Sequence, residues 1–191
     1  MAVIEEIVDE SEALQLKQKG NTLFQAGKFH EAIETYSEGI EKCEETESNL
    51  RAVLLTNRGF SHFRLSNSEE CIRDCTEAIV ADPDYTKAYY RRALAHEKLD
   101  EFEEAVSDLE KCFNLDAAMK LSEQSRYKIL VKKREEKFEK QKNEMLTSLK
   151  DIGNSILGQF GLSTDDFKVN KDPVTGSYSL SMNQRGPTNG S

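Results

Sequence analysis

Five polar residues fall at telling spacings, four of them in pairs that share a helix face. Lys17 and Asn21, in LKQKGN, stand four apart, and so do Lys87 and Arg91, in TKAYYRRA. Side chains at i and i+4 lie one above the other on a helix. Asn57, in LTNRG, precedes Arg91 by 34 residues. Three cations and two amides make a set suited to carboxylates: lysine and arginine give charge-assisted hydrogen bonds, and an asparagine can donate to an oxygen while facing a peptide backbone. A ligand presenting two carboxylates close together is the chemistry such a set can hold. Charge-assisted bonds contribute about 1.5–3 kcal/mol each, so a few of them, less the ordering of a flexible peptide, give a dissociation constant of order micromolar.

No catalytic constellation competes with this reading, and the expectation is that the chain is not an enzyme. GFSHF (59–63) begins like a nucleophile elbow but ends in Phe63 within a helical stretch. Gly20, Gly27 and Gly39 lie too far apart for a phosphate loop. Cys43, Cys71, Cys75 and Cys112 form no Cys-x-x-Cys pair and have no zinc-ligand spacing with His30, His62 or His96. Cys71 and Cys75 share a helix face and read as buried, reduced thiols. No metal or other cofactor is expected.

The elements that must position the five residues repeat. LTNRGFSHFRLSNSEECIRDCTEAIVADPDY (55–85) aligns with YYRRALAHEKLDEFEEAVSDLEKCFNLDAAM (89–119) at an offset of 34, pairing Arg58 with Arg92, Gly59 with Ala93, His62 with His96, Leu65 with Leu99, Cys71 with Ala105 and Asp74 with Asp108. A third copy lies upstream at an offset of 39, pairing Gly20 with Gly59, Phe24 with Phe63 and Ala32 with Cys71. The five extra residues fall in the polar stretch KCEETESNLRA, where an insertion costs little. Each unit reads as helix, turn, helix. Small residues at Gly20, Gly59 and Ala93, and at Ala32, Cys71 and Ala105, let paired helices approach closely. Leu23, Phe24, Tyr36, Phe63, Leu94 and Leu109 fill the space around them. AGKF, SNSE and LDEF break the units between their helices, and Pro83 can stand near a helix start but not inside one.

This pattern resembles the tetratricopeptide repeat, and the resemblance covers residues 13–118. It implies an all-α, right-handed superhelix of three helix pairs, with the first helix of each lining a concave groove. Lys17, Asn21, Asn57, Lys87 and Arg91 match the dicarboxylate clamp of the chaperone-binding subset of this family. That match implies a co-chaperone adaptor that grips the C-terminal Glu-Glu-Val-Asp of the seventy- and ninety-kilodalton heat-shock chaperones. Phe24, Phe60 and Leu94 are candidates for a pocket taking upstream peptide side chains, or equally for core. Arg58 and Arg92 read as structural, pairing with acidic neighbours across units. The resemblance also implies an alternative, a signalling scaffold that binds a small or heterotrimeric G protein.

Charge supports the division. Residues 1–118 hold 13 Lys and Arg against 26 Asp and Glu, whereas residues 119–150 hold 10 against 5. An acidic repeat region is a poor nucleic-acid binder, because phosphate neutralisation needs clustered cations. No apolar run approaches the length of a membrane span, and MAVIEEIVDE, an extension over residues 1–12, lacks the basic start of a targeting peptide. The expected compartment is the cytoplasm, with the nucleus as a second.

Beyond the repeats, a long charged helix is expected over residues 119–157, starting as early as Ala117, its first part capping the third repeat. Its apolar residues Val131, Phe138, Met145 and Ile152 recur at seven, joined by Leu149 and Ile156. KKREEKFEKQK reads as a solvated face held by Glu–Lys pairs. Residues 158–191 read as an irregular tail: FKV and SYSLSM around NKDPVTG give a weak hairpin signal, and RGPTNGS reads as a disordered end. Oligomeric state is not legible.

Overall fold

The computed structural model describes residues 11–173 and 175–182; most of the N-terminal extension and the RGPTNGS end lie outside them. Six helices form the repeats in order: α1 (Glu12–Gln25), α2 (Phe29–Lys42), α3 (Ser48–Arg64), α4 (Ser68–Ala81), α5 (Thr86–Lys98) and α6 (Phe102–Leu115). Each pairs with its sequence neighbour, and the first helices of successive units, α1 with α3 and α3 with α5, also meet. The six small residues of the repeat pattern are all buried. At Gly59 an added Cβ would stand 3.0 Å from the Asp74 Cβ and 3.2 Å from the Cys71 carbonyl oxygen, so the α3–α4 crossing is set by backbone contact. The core is Tyr36, Leu54 and Leu55 through the first two units, then Val106 and Leu109 in the third.

One device closes every helix pair. Gly27, Ser66 and Asp100 occupy equivalent repeat positions and all have positive φ, 76°, 69° and 57°. The next residue's N–H then bonds back to a carbonyl five residues earlier: Lys28 to Leu23, Asn67 to His62 and Glu101 to His96. This is the left-handed helix end that glycine favours, that aspartate tolerates and that costs serine most. Ser66→Gly is therefore expected to stabilise the protein by about 0.5–1 kcal/mol, against the loss of an exposed hydrogen bond that the Ser66 hydroxyl accepts from Lys98 at 3.0 Å. Chemical denaturation of the two proteins checks this, and Asp100→Gly should gain less.

Arg58 and Arg92 do pair with acids, but within a unit. Arg58 on α3 gives a two-pronged contact to Asp74 on α4, at 2.9 and 2.6 Å. Arg92 on α5 repeats it on Asp108 of α6, at 2.8 and 2.7 Å. What crosses between units is a bond to a hydroxyl: Arg58 to Ser37 and Arg92 to Thr76. The repeat offset explains the correction, since a residue and its partner sixteen positions on lie in one helix pair.

The expected single helix after the repeats is two. α7 (Ala117–Ser122), capped by the Asp116 carboxylate on the Ala118 N–H, ends at Glu123, and α8 (Gln124–Leu157) follows. Neither glycine nor proline marks this break. The start of α8 covers the third repeat: Leu130 is buried, and Tyr127 and Val131 pack on the same cluster as Ala93, Ala105 and Leu109.

The chain divides into two compact units within α8, between Arg134 and Glu135. In the second unit, the side-chain oxygen of Asn154 accepts bonds from the backbone and hydroxyl of Thr164, at 2.7 and 2.8 Å, fixing the turn after the helix. The tail forms a hairpin of β1 (Phe167–Lys171) and β2 (Tyr178–Met182), antiparallel, with Val169 opposite Leu180 and Phe167 opposite Met182. This is the hairpin that the alternation around NKDPVTG signals. Phe138, Met145, Leu149, Ile152 and Ile156 of α8, and Val169, Leu180 and Met182 of the hairpin, are each more than half exposed. Lys142 pairs with Glu139 at 3.1 Å and Lys140 with Glu144 at 3.9 Å along the charged face. Among the described residues, no helix is long and apolar enough to cross a membrane.

Candidate peptide-binding groove

α1, α3 and α5 lie side by side, and a small cavity of about 100 Å³ opens where their middles meet. Asn21, Phe24, Gln25, Tyr36, Asn57, Phe60 and Arg91 line it. Three of the five expected residues therefore converge, each from a different repeat. Lys17 is half-buried one turn before Asn21, and Lys87 is exposed one turn before Arg91. Neither lines the cavity, and neither has an ion-pair partner among the described residues. Phe24 and Phe60 line it, with ring centroids 5.6 Å apart, while Leu94 does not.

A relay of hydrogen bonds sets the polar groups. The Tyr36 hydroxyl donates to the Asn21 side-chain oxygen at 2.8 Å, and the Asn57 amide donates to the same oxygen at 3.1 Å. Arg91 Nη1 donates to the Asn57 side-chain oxygen at 2.8 Å and to the Thr56 carbonyl at 2.8 Å. Both amide oxygens are thus consumed within the protein. The Asn21 nitrogen, and one proton of the Asn57 nitrogen, are left to donate to a ligand. The guanidinium of Arg91 also stacks on Phe60, 4.6 Å from its centroid.

Tyr36 is the member that sequence reasoning assigned to packing alone. Its ring lies against Gly20: a Cβ there would fall inside it. Burial pushes its phenol up to about 12, opposed by the nearby Arg91 charge, so it remains a donor at neutral pH. Gly20→Ala is expected to cost about 1–3 kcal/mol through overpacking. It should also weaken peptide binding by displacing the Tyr36 hydroxyl from Asn21, a loss that calorimetric titration would register in protein shown to be folded.

The electrostatics separate Arg91 from its neighbours. Arg58 and Arg92 each have an aspartate, and those hydrogen bonds hold their guanidinium pKa values up. Arg91 has none: among the described residues, no carboxylate lies within ion-pair distance of it. Burial pushes its pKa down from the ordinary arginine range, although a guanidinium remains charged in any protein setting. Arg91 is therefore a largely buried cation whose acceptors among the described residues are all neutral.

The geometry defines a helix-pair repeat array with a groove along its first helices, where Asn21, Asn57 and Arg91 meet. The family model for the tetratricopeptide repeat matches residues 86–119. The chain is 35% identical to a structure described as the first TPR of Spaghetti (RPAP3) bound to HSP90 peptide SRMEEVD, over 65% of this chain and 97% of that one, with a TM-score of 0.59. It is also 35% identical to the second TPR domain of human RPAP3 in complex with HSP70 peptide SGPTIEEVD, over 61% of this chain and 94% of that one, with a TM-score of 0.54. Among curated proteins, it is 43% identical over 94 residues to mitochondrial import receptor subunit TOM70 of Homo sapiens, covering 49% of this chain. The chain belongs to the tetratricopeptide repeat family. It spans only 15% of the length of that curated relative.

Proposed function

We propose that the protein is a co-chaperone adaptor that binds the C-terminal Glu-Glu-Val-Asp of heat-shock chaperones through Lys17, Asn21, Asn57, Lys87 and Arg91. One observation carries the reading: Arg91 is a largely buried cation with no carboxylate partner among the described residues, fixed by Asn57 at the centre of the groove. An adaptor also needs a second surface, and the exposed apolar residues of distal α8 and the hairpin supply one. The solved relatives support the choice of peptide, since two of them are described as holding chains that end in Glu-Glu-Val-Asp.

In this mechanism the terminal carboxylate and the aspartate side chain meet the two free amide donors and Arg91. Lys17 and Lys87 close over them from the flanking helices. Phe24 and Phe60 offer apolar surface to the residue upstream. Calorimetric titration with a Glu-Glu-Val-Asp peptide and with its C-terminal amide tests this. The expected result is a micromolar dissociation constant for the free acid, about tenfold weaker binding of the amide, and weaker binding of the acid by Lys17→Ala and Lys87→Ala. Equal binding of acid and amide would overturn the clamp. Added salt should weaken the complex, and less than it would an exposed ion pair.

A further inference from the structure

The groove's unspent charge has a candidate ligand within the same chain. We propose that the acidic segment at residues 5–10, Glu-Glu-Ile-Val-Asp-Glu, is a second, weaker ligand of the groove and competes with the external peptide. The inference rests on the clamp reading above and adds a regulator to it.

Three observations carry it. The first is charge accounting in the repeats. Arg58, Arg73, Arg92, Lys28 and Lys42 each have a carboxylate within 3.2 Å, whereas Lys17, Lys87 and Arg91 have none among the described residues. Lys19, Arg51, Arg64, Lys98 and Lys111 of the repeats also have none, so what singles out the groove is Arg91, a largely buried cation that lines its cavity with only neutral acceptors. The second is the order of residue types. Glu5, Glu6, Val8 and Asp9 reproduce the acid–acid–valine–acid order of the peptides bound by the solved relatives, with Ile7 inserted. The adjacent acids Glu5 and Glu6, or Asp9 and Glu10, offer the paired carboxylates that the clamp accepts. The third is attachment. The segment ends at Ser11, whose hydroxyl accepts from the Leu14 N–H and caps α1, the helix that carries Lys17 and Asn21.

Reach and affinity both follow from elementary numbers. Lys17 and Asn21 stand about 9 and 15 Å along α1 from Ser11 at 1.5 Å per residue. Six extended residues span about 20 Å, so the acids of the segment can reach both. A short tether holds its end at an effective concentration of order millimolar. The segment lacks a free C-terminal carboxylate and binds less tightly than the chaperone tail. If its own dissociation constant is about 0.1–1 mM, occupancy of the groove reduces the apparent affinity for an external peptide about two- to tenfold.

The test is a calorimetric titration of the SRMEEVD peptide into the full chain and into its E5Q/E6Q/D9N/E10Q variant. The variant is expected to bind two- to tenfold more tightly, with the gap narrowing at high salt. Equal, measurable affinities would overturn the competition and leave the clamp standing, whereas failure of both proteins to bind would remove the clamp and this inference with it. Long-range repulsion by four acids would also produce a gap, so a second readout is needed. A synthetic MAVIEEIVDE amide added at millimolar concentration to the neutralised variant should shift the side-chain amide NMR signals of Asn21 and Asn57. It should not shift them when Arg91→Met is added to that variant. Absence of the shift overturns the proposal. So does an affinity gap that grows with protein concentration, which would assign the segment to a neighbouring copy's groove.

Discussion

Arg91→Met will lower the affinity for an acidic C-terminal peptide at least a hundredfold and leave the fold within about 1 kcal/mol of its original stability. The binding loss follows from the two or more charge-assisted bonds that Arg91 supplies at about 1.5–3 kcal/mol each, with 1.4 kcal/mol for each tenfold. The stability result follows from what Arg91 does without ligand. It is desolvated and, among the described residues, has no carboxylate partner and donates only to the Thr56 carbonyl and the Asn57 side chain. Methionine keeps an unbranched, polarizable side chain over Phe60 and removes the cost of a buried charge. The freed Asn57 oxygen offsets part of that gain. Calorimetry and denaturant titration on the same preparation measure both quantities. A loss of tenfold or less would show that the lysines and amides, not Arg91, hold the peptide.

The largest effect on folding should come from the other arginines. Asp74→Ala and Asp108→Ala are each expected to cost about 3 kcal/mol, because each leaves a half-buried guanidinium without its two-pronged partner. The aspartates are 6% exposed and the arginines 22% and 20%; water reaching the arginine keeps the cost at the low end of the range for buried pairs. Replacing both members, Arg58→Met with Asp74→Leu, should recover most of the loss, since no unpaired charge then remains. A double-mutant cycle by urea denaturation separates the coupling from the packing. If Asp74→Ala costs less than 1 kcal/mol, the pair is an ordinary surface contact.

The repeat offset made the fold legible, because Gly20, Gly59 and Ala93 with Ala32, Cys71 and Ala105 mark where helices touch. It also put Asn57 and Arg91 at equivalent positions, which is why a groove residue set was readable at all. Tyr36 was hidden by its location: it belongs to a second helix, and an aromatic facing a glycine has the pattern of core. That its hydroxyl reaches Asn21 depends on the α1–α2 crossing, which no spacing rule encodes. The break at Glu123 was hidden for the opposite reason. The stretch from 117 to 130 has continuous helix formers, and the interruption arises at the junction between a helix following the third repeat and one covering it. The left-handed position of Ser66 was obscured by its type, and only its alignment with Gly27 carried a signal.

The relay from Tyr36 through Asn21 and Asn57 to Arg91 ties together all three repeats. Repeat arrays gain stability from nearest-neighbour contacts and fray from their ends, so the first and last units open most readily. A peptide gripped at once by α1, α3 and α5 penalises opening at either end, because each opening also releases the ligand. A peptide so held would act as a staple that makes three loosely coupled units behave as one. Amide exchange in α1 and α5 should slow toward that of α3 when the groove is filled, making the peptide-bound protein a more cooperative object than the free one.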